Sequence, residues 1–160
     1  MPRSRLKTAV TALILLALCA ASAPAGDWPG FRGPHRNAVS EETGLLQQWP
    51  EGGPALVWQA SGAGRGYSSL AIVGGRLYTL GDVPSVADDK DEYLLCFETA
   101  HGAPVWRTKT GLAWQDRKPD WGSSRSTPTV DGESLYVVTP LGELVCCETS
   151  GGKERWPDNR

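Results

Sequence analysis

The chain contains a near copy of part of itself. Laying residues 94–106 (LLCFETAHGAPVW) over residues 144–156 (LVCCETSGGKERW), at an offset of 50, matches Cys96 with Cys146, Glu98 with Glu148, Thr99 with Thr149, Gly102 with Gly152 and Trp106 with Trp156. The preceding stretches match too, residues 68–81 (SSLAIVGGRLYTLG) over 126–139 (STPTVDGESLYVVT), at an offset of 58. The difference places an eight-residue insertion in the first copy, within the polar DVPSVADDKDE stretch. A third copy of the closing element, ALVWQA, puts Trp58 48 residues before Trp106. A period near 50 with several short strands per copy is the signature of β-propeller blades.

Each copy reads as four strands. The inner ones are expected near 68–73 and 126–130, the second at 76–80 and 134–139, the third at 93–98 and 143–148, and the outer ones carry the tryptophans. RLYTL, SLYVV, YLLCF and ELVCC are apolar on both alternating faces, which implies burial on both sides, as in blades stacked face to face. The expected fold is therefore all-β: an incomplete propeller of four-stranded antiparallel blades, about two blades plus one outer strand. The layout is a leader at 1–25, an amino-terminal arm at 26–54, the outer strand of a preceding blade at 55–60, blades at 66–109 and 123–156, and a tail at 157–160. Closed propellers use about 4 to 8 blades, so this stretch is not expected to close a ring alone. It reads as the amino-terminal part of a longer protein or as a truncated chain, with exposed sheet edges that favour aggregation.

The leader has Arg3, Arg5 and Lys7, then the apolar run AVTALILLALCAA, then small residues up to Ala25. That is the pattern of a secretory signal peptide, too short for the ~20 residues of a membrane span. Cleavage is expected after Ala25, giving a periplasmic or secreted protein. Lipid attachment at Cys19 is the weaker alternative, because Leu18 stands where a small residue is expected. Removing 1–25 takes away three basic and no acidic groups, moving the formal charge from −2 to −5, which argues against nucleic acid and anionic lipid as partners. Three cysteines remain, Cys96, Cys146 and Cys147, an odd number that does not describe a disulfide framework.

Several sharper motifs dissolve into the repeat. Gly151-Gly152-Lys153 aligns with His101-Gly102-Ala103, so only the turn glycine recurs, and a phosphate loop lacks its spacing and its helix. Cys146 and Cys147 are successive strand residues and are expected to point to opposite faces as buried free thiols. The acidic run 88–92 reads as a solvated loop, lacking the glycine and spaced Glu of a calcium site. His35 and His101 lack partners at zinc-ligand spacing, and no Gly-x-Ser-x-Gly elbow occurs. The polar residues leading into the inner strands are the candidate ligand site: Arg65, Tyr67, Ser124 and Arg125 are expected to approach the central channel. No catalytic residue and no metal ligand is assigned.

CFETAHGAPVW and CCETSGGKERW resemble the Ala-x-Asp-x-x-x-Gly-Lys-x-x-Trp repeat of pyrroloquinoline-quinone (PQQ) type propellers, with Glu98 and Glu148 in place of the Asp. Residues 27–58 look like the amino-terminal arm of secreted PQQ-like, or BamB-like, propellers. The resemblance implies that Trp58, Gly102, Trp106, Gly152 and Trp156 are structural, each Trp docking one blade onto the next. It implies a non-catalytic exported scaffold that binds protein or cell-envelope components and needs no cofactor. A first alternative is part of a PQQ-dependent alcohol dehydrogenase of the polyvinyl-alcohol type, holding PQQ with calcium. A second is a sugar- or polymer-binding module using Trp28, Trp114 and Trp121 as stacking surfaces.

Overall fold

The computed structural model describes residues 25–82, 91–114 and 122–156. The leader up to residue 24 with Cys19, most of the insertion, Trp121 and the tail at 157–160 lie outside the described residues. Among the described residues there is no helix long and apolar enough to cross a membrane.

Seven strands follow one another: β1 (Ala71–Val73), β2 (Arg76–Gly81), β3 (Asp91–Glu98), β4 (Pro104–Leu112), β5 (Thr129–Asp131), β6 (Ser134–Val138) and β7 (Leu144–Glu148). They form two antiparallel meanders, β1-β2-β3-β4 and β5-β6-β7. The tight β1–β2 hairpin comes from Gly74-Gly75, both at positive φ, flanked by the pair Val73 and Arg76. Two positive-φ residues match the right-handed twist of the strands, and only glycine takes that conformation without cost. The first sheet is a complete blade. The second has three strands instead of the expected four, because only Glu154 bridges back to Cys147, with Arg155 N–H on the Cys146 carbonyl at 2.8 Å.

The sheets pack face to face. Tyr78, Leu80, Leu94 and Cys96 of the first share a buried cluster with Val130, Leu135, Val137, Val145 and Cys147 of the second. Thr79, Leu95 and Phe97, on the other face of the first sheet, are buried as well. The two-sided burial expected from the apolar pattern is thus met in the first blade. Together the sheets form an incomplete propeller that is not closed.

Segment 55–60, expected as the outer strand of a preceding blade, forms no strand. Among the described residues no third strand lies beside it to pair with, and Leu56 and Val57 stand in solvent. Only Trp58 is anchored. Its indole N–H donates to the Thr99 carbonyl at 2.7 Å, and its ring covers Gly102 so closely that a Cβ there would collide with it. The same arrangement recurs one blade later, where Trp106 N–H donates to the Thr149 carbonyl at 3.3 Å and the ring covers Gly152. Gly102 and Gly152 have φ of 68° and 70°, so the turn and the close approach both require glycine.

The arm lies along the inner edges of both blades. Trp28 exchanges two backbone hydrogen bonds with Ile72 of β1, and the Pro29 carbonyl accepts from Val130 of β5 at 2.8 Å. Those bonds satisfy inner-strand groups that would otherwise face the channel.

Candidate functional site

The β2–β3 end of the first blade, opposite the glycine turns, gathers the polar residues. The loop before β1 is tied to the start of the second blade by a parallel bridge between Gly66 and Ser124, with Tyr67 N–H donating to the Ser124 carbonyl at 2.7 Å. Ser68 hydroxyl adds a bond to the Ser126 carbonyl at 2.7 Å. Gly66 is needed because a Cβ there would meet the Ser124 backbone. All four candidate residues therefore fall in one neighbourhood, in different roles.

Arg65 is engaged by a carboxylate. Its Nη2 lies 2.7 Å from Asp82 Oδ2 and its Nε 3.3 Å from Oδ1, while its backbone N–H also donates to Oδ1 at 2.8 Å. Ser123 hydroxyl donates to Asp82 Oδ2 at 2.6 Å. Burial pushes the Asp82 carboxyl up, but the hydrogen bonds from Arg65 and Ser123 and the guanidinium charge outweigh it and leave the group below its ordinary value. The hydrogen bond to Asp82, and then its charge, raise Arg65 in turn. Ser123 holds this position at φ 76°, a left-handed conformation that a non-glycine residue adopts only under constraint.

Tyr67 and Arg125 lie toward solvent, with the Arg125 guanidinium 6.0 Å from the Tyr67 ring centre. Ser124 is fully buried instead of lining a channel. Beside it lies a residue the sequence reading placed in a solvated loop. Glu92 has no exposed surface, and its Oε1 accepts from Thr110 hydroxyl at 3.0 Å. Burial holds the Glu92 carboxyl above its ordinary value, against the nearby Ser124 and Thr110 hydroxyls, and the negative charge of Asp82 pushes it further up. Neither Glu92 Oε2 nor Ser124 Oγ has a hydrogen-bond partner.

The solvated reading of 88–92 is thus corrected at its end. Asp91 pairs with Lys109 at 2.6 Å, Glu92 is interior, and 88–90 lie outside the described residues. The reason is register: β3 begins at Asp91, and pairing with Leu112 and Gly111 carries Asp91 and Glu92 into the sheet. Asp82 and Glu92 are where the insertion leaves and rejoins the sheet. Acidic residues at both junctions of an otherwise polar insertion were the available signal, hidden because the whole stretch looks equally hydrophilic.

Chemically, the cluster fixes a charge, with the Asp82 carboxylate held between the Arg65 guanidinium and the Ser123 hydroxyl. Cys146 and Cys147 are buried thiols on opposite faces, Cys147 in the inter-blade cluster and Cys146 across from Tyr136. Burial pushes the Cys96 thiol up to about 11, so it is neutral at physiological pH. Among the described residues no three His, Cys, Asp or Glu side chains gather as a metal set. Of the tryptophans of the sugar-binding alternative, Trp28 packs on Gly33 and pairs with Ile72, Trp114 has its carbonyl on Ser123 N–H, and Trp121 lies outside the described residues.

No curated protein matches the chain. Residues 90–159 match the family model of outer membrane protein assembly factor BamB, so that stretch is similar to the repeats of BamB-like propellers.

Proposed function

We propose that the protein is an exported, non-catalytic propeller scaffold that binds protein or cell-envelope components over its blade surfaces and loops, without a cofactor. What supports this reading is the arm. Leu45, Leu46 and Trp49 of the arm, with Leu56 and Val57 just after it, all stand more than half exposed, in a stretch hydrogen-bonded to the blades at Asp27, Trp28, Pro29 and Trp58. Exposed large apolar side chains gathered in one segment mark contact surfaces. The matching family model is described as an outer membrane protein assembly factor, which agrees with a protein partner in the envelope.

Three experiments test it. Fusion of the full chain to a reporter active only outside the cytoplasm is expected to give signal that depends on residues 1–25. Crosslinking in cell envelopes is expected to yield a defined adduct that Leu46→Asp with Trp49→Asp removes; adducts unchanged by that pair overturn the binding role. Adding PQQ and calcium is expected to leave dye-linked alcohol oxidation at background. Oxidation that disappears with Arg125→Ala overturns the non-catalytic reading.

A further inference from the structure

Among the described residues, tertiary hydrogen bonds begin just past the bond at which the leader is expected to be cut. Gly26 N–H donates to Glu42 Oε1 at 3.0 Å, Asp27 Oδ1 accepts from Gly74 N–H at 3.0 Å, and Trp28 exchanges two backbone bonds with Ile72. Ala25, Gly26 and Asp27 are all exposed, and a Cβ built on Gly26 would meet nothing within 4 Å. The bond between Ala25 and Gly26 is therefore open to a peptidase.

The Gly26 nitrogen stands in acidic surroundings. Asp27, Glu41 and Glu42 line the pocket that Gly26 borders, with Trp28, Val39 and Leu45, and no lysine or arginine lines it. Asp27 has the Gly74 amide, and Glu41 has His35, whose Nε2 lies 3.3 Å from its Oε1. Glu42 has the Gly26 nitrogen. It is aimed there by a local turn in which its own N–H donates to the Ser40 hydroxyl at 3.2 Å.

We propose that Gly26 is the mature amino terminus and that the α-ammonium released there takes Glu42 as its counter-ion, closing residues 26–42 of the arm into a ring. Hydrolysis breaks the bond from the Ala25 carbonyl carbon to the Gly26 nitrogen. The oxygen of water stays on Ala25, as a carboxylate on the departing leader, and both protons end on the nitrogen. A neutral amide donor thus becomes an ammonium, and its contact with Glu42 becomes charge-assisted. Cutting one residue away on either side loses the pair: an extra residue leaves Gly26 an amide, and loss of Gly26 removes the atom that faces Glu42. The ring ties the approach to Leu45, Leu46 and Trp49 to the stretch that pairs with β1. This processing step deepens the export reading and rests on it, because the contact segment is completed only once the leader has gone.

The test uses the full chain exported from cells. Mass spectrometry of the exported protein is expected to find a free amino terminus at Gly26. Titration of that amine, followed by NMR on the Gly26 Cα protons, is expected to show a midpoint about 0.2–0.7 pH units above the ordinary range of about 7.7–8.0, as one exposed ion pair would give. Glu42→Gln is expected to abolish the displacement. Glu41→Gln, which removes the neighbouring carboxylate and leaves the partner, is expected to keep most of it. Both side chains are exposed, so neither variant is expected to unfold the chain. Failure of export overturns the export reading and the ring together. A terminus anywhere other than Gly26 overturns the ring alone, as does an amine that titrates in the ordinary range. So does a displacement that survives Glu42→Gln, or that Glu41→Gln removes as fully.

Discussion

The two ends of the first blade are built on different principles. The turn end is a module: Gly102 with Trp58 is reproduced by Gly152 with Trp106, down to the bonds from Thr99 N–H to Gly75 and from Thr149 N–H to Glu133, both 3.0 Å. The opposite end is unique. The positions that repeat Asp82 and Glu92 in the second blade are Pro140 and Gly142, so the acidic pair has no counterpart. Stacking is therefore encoded once per repeat, while the charged cluster belongs to one blade and to the junctions of its insertion.

Substitutions at the turn end should show the largest effects. Gly152→Val adds a side chain at positive φ and into the Trp106 ring, and is expected to destabilise by about 3 kcal/mol or more in urea unfolding. Leu94→Ala is expected to cost about 2–5 kcal/mol and its repeat counterpart Leu144→Ala under about 1 kcal/mol, because only the first leaves a cavity in a closed interface. Equal losses would show that the two faces are equally covered in solution.

At the charged end, Asp82→Ala leaves the Ser123 hydroxyl and the Arg65 backbone N–H without an acceptor and is expected to cost about 1–3 kcal/mol. The two acids should also give stability opposite pH dependences. The Glu92 carboxyl is raised, so its contribution is full below the ordinary value of 4.5 and is lost as pH rises through its folded value. The Asp82 carboxyl is lowered, so its contribution is full above the ordinary 3.8 and is lost as pH falls through its folded value. Thermal melts against pH are expected to peak in the mildly acidic range. Glu92→Gln should flatten the alkaline limb and Asp82→Asn the acidic one; limbs unchanged in both variants would mean the pair is solvated. Arg65→Lys should be the smallest change, under about 1 kcal/mol, because the Arg65 side chain is largely in water although Asp82 is not.

Much of the fold was legible because it is written in local period. Alternation in SLYVV and LVCC places Cys146 and Cys147 on opposite faces whatever lies around them, and a turn that needs positive φ keeps its glycine in each copy. Arg65, Tyr67, Ser124 and Arg125 lie in one neighbourhood, where Ser124 is buried and Arg65 is paired with Asp82. Asp82 and Glu92 could not be separated from their hydrophilic neighbours, since neither position follows the repeat. Segment 55–60 kept its Trp seat and not its strand, because a strand requires a neighbour and an indole seat requires only a turn.

The sequence by itself determined the repeat, the strand faces, the glycine turns and the tryptophans that seat on them, all properties of residues within one or two turns of chain. The tertiary structure alone decided which acids are interior, that the arm runs along both inner edges, and that the same apolar face is buried in one blade and half open in the next. Burial and charge pairing depend on what arrives from tens of residues away, and a hydrophobic or acidic side chain carries no local mark of whether its neighbour is present.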